Sequence, residues 1–332
     1  TGETDLARFY DIGRFLGLDE LYNRYSSFVV IPDGYLYQLP LAVMPVSPPE
    51  TPFSYGSAEY LIERADVYML NSLKDLTRKE SKISYDYDFA GFGVADFKND
   101  ETGRSLVSLP RAPEEIESVA GGLKRFDRSR SFTNEAATSG DFRNVAGRAR
   151  ILHMATHSEV SDSDPLFSTL HFYADADSEG GETVKGQLFA YELFDLNLQN
   201  ELVMLNSCES GGDRYLQGTG IMGINRALRY AGVRSLVLNA WSVNDHYAAD
   251  FAEFFYGYLN EGHSKSESLQ KAKIEFIRTR NANPHFWGPY ILNGDVRPLI
   301  PGETESQANA VLAVLFLVSL SLVAGRRRAR PG

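Results

Sequence analysis

The feature that most limits the fold of this chain is a set of short strand-like runs with a continuous apolar stretch in each. SFVVIP, YDFAGFG, RILHMATHS, NELVMLNSC and RSLVLNAWSV punctuate residues 27–243. A strand that is apolar on both faces has to be covered on both faces, which is the situation in a parallel sheet flanked by helices. The segments between them carry helical signals. LPRAPEEIESVAGGLKRF has Pro113 in its first turn and Glu114, Glu115 and Glu117 near its positive end. GTGIMGINRALRYAGV stops at Gly232, and HYAADFAEFFYGYLNEG and KSESLQKAKIEFIRTR are two further helices. RADVYMLNSL adds a strand, SFVVIPDGYLYQLP holds one from Phe28 to Ile31, and ARFYDIGRFLGLDELYNRY reads as one or two helices. Strand–helix alternation of this kind specifies an α/β domain with a mostly parallel central sheet.

Composition narrows the function. The 332 residues carry a net charge of −11, so no basic face is available for a phosphate backbone and nucleic acid is not an expected partner. There is one cysteine, Cys208. That excludes a disulfide framework and any thiolate-rich metal site. The remaining histidines show no metal-ligand spacing on a helix, and neither a metal nor another cofactor is expected. Gly218-Thr219-Gly220-Ile221-Met222-Gly223 matches G-x-G-x-x-G, but Gly218 lies far beyond the end of the preceding strand, where a dinucleotide site needs its first glycine. The carboxylate-rich SDSDP at 161–165 reads as a solvated loop.

Cys208 lies where the strand Leu202–Asn206 ends and a Ser-Gly-Gly loop begins. Ligands of open α/β sheets bind beyond the carboxyl ends of the strands. A second strand, Ile151–Ala155, ends on His153-Met154-Ala155-Thr156-His157-Ser158. If these strands are neighbours and the second stays extended to position 157, His157 faces Cys208 as the base a thiol nucleophile requires. A histidine about 50 residues before the cysteine is a caspase-like spacing. The alternative is an inert buried thiol that behaves as a small hydrophobe. His153, inside the strand, reads as structural.

Taken together and in order, IPDGYLYQLP, YLIERADVYMLNSL, SLPRAPEEIESVA, ILHMATHS, ELVMLNSCESG, QGTGIMGINRALRYAGVRSLVLNAWSVND and FWGPYILNGD resemble the CHAT domain, a bacterial branch of the caspase and separase superfamily of cysteine peptidases. The resemblance implies a caspase-like α/β/α sandwich and a cysteine endopeptidase that cleaves a protein or peptide substrate through a thioester acyl-enzyme. It assigns the catalytic histidine to His157 and the nucleophile to Cys208. The oxyanion donors it implies are the backbone N–H groups of Cys208 and Ser158. Position 158 departs from the family's usual glycine, and Asn206-Ser207 from its usual Ser-Ala. The same resemblance makes Asp245 a candidate for binding a basic P1 side chain, while the residues alone also allow Asp245 to cap the helix that follows. It further implies an upstream helical-repeat, TPR-like region that gates the domain, which a chain beginning at Thr1 would lack. A catalytically silent interaction or signalling module is the alternative reading.

The expected organisation is a helical lead-in at 1–25, the peptidase domain at 26–297, a linker at 298–307, a transmembrane or sorting-signal helix at 308–325 and a basic tail at 326–332. The uncharged stretch ANAVLAVLFLVSLSLVAG reaches the roughly 17–25 residues that a span needs. The arginines after it predict a cytoplasmic tail, hence a membrane-anchored protein with its catalytic domain on the other side.

Overall fold

The computed structural model describes residues 3–32, 39–77, 83–97, 106–161, 164–174, 186–208, 219–299 and 312–317, with Cys208, 219–222 and 312–317 described by their backbone. The chain opens with helices α1 (Leu6–Phe15) and α2 (Leu18–Leu21), followed by β1 (Ser27–Pro32), α3 (Leu61–Arg64) and β2 (Asp66–Met69). Next come β3 (Tyr87–Gly93), α4 (Ala112–Gly122), β4 (Ser129–Thr133), α5 (Ser139–Val145) and β5 (Ala149–Glu159). Strands β6 (Thr169–His171) and β7 (Gln187–Phe189) precede α6 (Ala190–Leu193), β8 (Leu202–Cys208), α7 (Thr219–Ala231) and β9 (Ser235–Asn239). The chain continues with α8 (Asp245–Glu261), α9 (Lys265–Thr279), α10 (Pro284–Trp287), β10 (Tyr290–Gly294) and β11 (Leu312–Leu317).

The strands form one sheet in the order β11-β1-β2-β10-β9-β8-β5-β3-β4, parallel throughout except where β10 runs against β9. Alternate residues of the central strands supply two separate cores. Ile151, Ala155, Leu202, Met204 and Val237 pack with Ile116 and Val119 of α4, with Phe251 and Phe255 of α8 and with Phe276 of α9. Leu152, Met154, Val203, Leu205 and Leu238 pack on the other face, with Phe142 of α5, Leu193 of α6 and Leu228 of α7. The result is the α/β/α sandwich that two-sided apolar strands demand.

Two glycines of β3 bring α4 unusually close to the sheet. A Cβ at Gly93 would lie 2.6 Å from the Ala112 carbonyl oxygen, and one at Gly91 would lie 2.5 Å from Cγ2 of Ile116. Only a residue without a side chain permits that approach.

The C-terminal expectation is corrected. Residues 312–317, inside the stretch read as a helix at 308–325, form β11 and pair in parallel register with β1, from Ser27↔Leu312 to Pro32↔Leu317. A run of leucines, valine and phenylalanine has no period that separates helix from strand. The open edge of β1 offers backbone hydrogen-bond partners that decide the matter. Among the described residues no helix is long and apolar enough to cross a membrane. The transmembrane helix, the membrane partner and the membrane-anchored localisation are therefore withdrawn. The remainder of 308–325 and the arginines at 326–330 lie outside the described residues.

Candidate active site

β5 and β8 are adjacent and parallel, in a register that runs from Ile151↔Leu202 through Ala155↔Asn206 to His157↔Cys208. β5 does remain extended past Ala155, to Glu159. Neighbouring strands lie about 4.8 Å apart, and directly paired positions share a face. Positions 157 and 208 thus sit side by side at the carboxyl edge of the sheet, on the face covered by α4 and α8.

His157 is 2 % exposed, and its ring packs against Phe97 with the centroids 4.8 Å apart. Its Nε2 is 2.6 Å from the carbonyl oxygen of Val107. A carbonyl can only accept, so Nε2 carries the hydrogen and Nδ1 is the basic nitrogen of the neutral ring. Nothing in the sequence signals Val107, because the group involved is backbone.

His157 is the last residue of β5 paired in the main sheet, and Ser158 pairs with Leu170 in a short antiparallel extension formed by β6 and β7. Asn134 is the sole non-glycine with positive φ among the described residues, so Ser158 adopts its conformation without strain in place of glycine. Its Oγ lies 2.7 Å from Oγ of Ser207, on the opposite face from His157. The two hydroxyls thus meet across the β5–β8 pair.

Asp245 is the first residue of α8, but the cap is Asn244, whose side chain accepts from the N–H of His246. Asp245 instead accepts from the backbone N–H of Arg111 at 3.0 Å. Burial raises its carboxyl above the ordinary value and Glu115 adds to this, while the Arg111 backbone N–H and the charges of Arg111 and His157 act against it. The side chain of Arg111 is occupied with His246, Asp250 and Glu114.

Beneath these residues lies a polar chain that the sequence reading missed. Nδ2 of Asn239 donates to Oδ1 of Asn206 at 2.9 Å, and Nδ2 of Asn206 donates to Oε1 of Glu115 at 2.8 Å. The same carboxylate oxygen lies 2.8 Å from Nε2 of His153. That approach is close but off-axis, and neither ring nitrogen of His153 has a well-aligned partner. Tyr256 stacks on the His153 ring, with the centroids 5.3 Å apart. His153 is completely buried. The signal for Glu115 was present, since it lies on the same helical stripe as Ala112, Ile116 and Val119.

Among the described residues no three His, Cys, Asp or Glu side chains gather to hold a metal ion. In the SDSDP loop, Asp164 accepts from the N–H of Leu166, and residues 162–163 lie outside the described set. Gly218 of the glycine motif is outside it as well, while Thr219 and Gly220 open α7.

Human tetratricopeptide repeat protein 28 is 22 % identical over 326 residues, an alignment that takes in 86 % of this chain and 13 % of that protein. The chain therefore spans a small part of the length of such relatives. The structure of the Arg specific cysteine proteinase gingipain R is similar with a TM-score of 0.51 at 10 % identity, over 87 % of this chain and 68 % of that one. A complex of the Porphyromonas gingivalis RgpB pro- and mature domains gives 0.52 at 10 % identity, over 87 % and 69 %. At such identity the likeness speaks for the fold, which is the caspase-like α/β arrangement of these cysteine peptidases. The family model of the CHAT domain matches residues 15–295, and the chain belongs to the CHAT domain family.

Proposed function

We propose that this chain is a cysteine endopeptidase domain in which His157 and Cys208 form the catalytic dyad. The observation that carries the reading is the pairing of positions 157 and 208 on adjacent parallel strands, with Nε2 of His157 held by a backbone carbonyl. Nδ1 of His157 takes the proton of the Cys208 thiol, and the thiolate attacks the scissile carbonyl carbon. The backbone N–H groups of Cys208 and Ser158 receive the oxyanion. The imidazolium returns its proton to the departing amine, leaving a thioester on Cys208. Water then attacks the thioester with His157 as base and releases the acid. The Val107 carbonyl keeps one tautomer throughout and stabilises the imidazolium when it forms.

Asp245 is the residue we assign to a basic P1 side chain. It accepts from the backbone N–H of Arg111, four residues along from the Val107 carbonyl that holds His157, and the Arg111 side chain is directed to other partners. Gating by an upstream helical-repeat region is part of the same reading, supported by the repeat-protein character of the relatives.

The test is covalent labelling with a peptidyl acyloxymethylketone carrying arginine at P1, on wild type, Cys208→Ala and His157→Ala. Labelling of wild type that both substitutions abolish is the expected result. A folded wild type that never labels would overturn the reading in favour of a silent interaction module.

A further inference from the structure

The segment from Val107 to Glu115 contacts His157, Asp245 and both strands that carry the proposed dyad. Val107 O holds His157, the Arg111 N–H holds Asp245, and Glu115 reaches both dyad strands four residues further along. Glu115 is 3 % exposed, and among the described residues its ion-pair contact is with His153 and not with a lysine or arginine. Burying a carboxylate against an asparagine and a histidine is a poor way to stabilise a core, since an apolar residue of similar size does at least as well. Its place is informative, however. Asn206 lies two residues before Cys208 on the same face of β8, and His153 lies four residues before His157 on the same face of β5. One carboxylate oxygen therefore accepts a hydrogen bond from Asn206 of β8 and lies 2.8 Å from Nε2 of His153 on β5, the two strands whose ends carry the dyad. Asn239 extends the polar chain to β9, the strand that leads towards Asp245.

Resting on the dyad reading above, we propose that Glu115 is a positioning residue for the peptidase reaction. It fixes the relative height of β5 and β8 at their carboxyl ends, so that the thiol and the imidazole meet at proton-transfer distance. α4 is pressed onto the sheet at Gly91 and Gly93, which lets a glutamate reach Asn206 and His153 from the helix above. Asn206, which departs from the family's usual serine at this position, supplies both the donor to Glu115 and the acceptor for Asn239.

Cys208 is the only cysteine, so alkylation of the full chain by iodoacetamide reports this thiol alone. The rate of that reaction against pH measures the thiolate population and needs no substrate. Wild type, His157→Ala, Glu115→Gln and Glu115→Leu are compared with Val119→Ala, which loosens the same helix without touching the polar chain. Glu115→Leu is expected to shift the profile upward by about one pH unit, towards that of His157→Ala, and to slow alkylation about tenfold at pH 7. Glu115→Gln keeps an acceptor oxygen and should stay within about threefold of wild type. Asn206→Asp, which sets a second carboxylate against Glu115, should move the profile in the same direction as Glu115→Leu and decides the matter if that variant does not fold. A wild-type profile for the variants that disturb the polar chain would overturn the inference, as would an equal shift in Val119→Ala. If His157→Ala itself matches wild type, the dyad reading fails instead, so the two failures are distinguishable.

Discussion

The two ends of the central sheet are both rich in polar side chains, and they treat charge in opposite ways. At the amino edge acids and bases are matched. Arg150 pairs with Glu201 at 3.2 Å and also donates to the Leu299 carbonyl, and Asp295 pairs with Arg297 at 2.6 Å. Burial works to raise the Asp295 carboxyl, but hydrogen bonds from Arg297 and the charges of Lys265 and Arg297 more than offset this and hold it at about 2. Burial also brings Lys265 down to about 8, against the pull of Asp295 and Glu201. At the carboxyl edge Asp245 accepts from the backbone N–H of Arg111, and Glu115 accepts from the amide of Asn206. The Asp245 carboxyl is pushed up rather than down. A compensated edge resists change, whereas an edge with incompletely neutralised carboxyls can respond to an incoming cation or proton.

The contrast makes graded predictions. The largest effect belongs to His157→Ala, which should lower peptide cleavage by at least about a thousandfold while changing stability by less than about 1 kcal/mol, read by kcat/KM and by urea unfolding. Next, Asp245→Asn should reduce kcat/KM for an arginine-P1 peptide by about ten- to a hundredfold and leave a neutral-P1 peptide within about threefold. Equal losses on both peptides would remove Asp245 from specificity. Asp295→Asn inverts the pattern, with stability at pH 7 falling by about 2 kcal/mol and the cleavage rate at 25 °C unchanged.

The pH sign follows from the direction of the Asp295 shift. Its folded-state value lies below the ordinary 3.8, so its contribution is fully present above about pH 4 and is lost as pH falls towards about 2. Wild type and Asp295→Asn should therefore converge in stability at the acid end of that window. The smallest effect is that of Ser158→Gly, which should change kcat by less than about threefold, because the serine is already unstrained.

Much of this architecture is legible in the residues themselves. β5, β8 and β9 announce themselves because they are apolar on both faces, and the Pro113 start of α4 is readable from chain chemistry. β4 is not legible, since Ser129, Arg130 and Ser131 are exposed on an edge and carry no alternation. β11 misleads because its apolar run satisfies a helix as well as a strand, and only the free edge of β1 settles the choice. His157 and Cys208 can be read as a pair only if their strands are neighbours, which is a property of the whole sheet. Val107 is invisible because it acts through its carbonyl. Glu115 hides among the acidic residues that favour any helix start, and only its place on the apolar stripe sets it apart.

The pairing of β11 with β1 has a consequence for how the molecule is made. The first strand of the sheet waits for one of the last described segments to emerge before both of its edges are covered. A contact spanning nearly the whole chain is slow to form, because its loop closure comes late and costs chain entropy. Until then Ser27–Pro32 presents a bare row of backbone groups along an apolar ribbon, the configuration most open to pairing with a neighbouring nascent chain. Chains stopped short of residue 312 should therefore aggregate more readily than chains that include β11, even though every residue of the candidate site has already been synthesised.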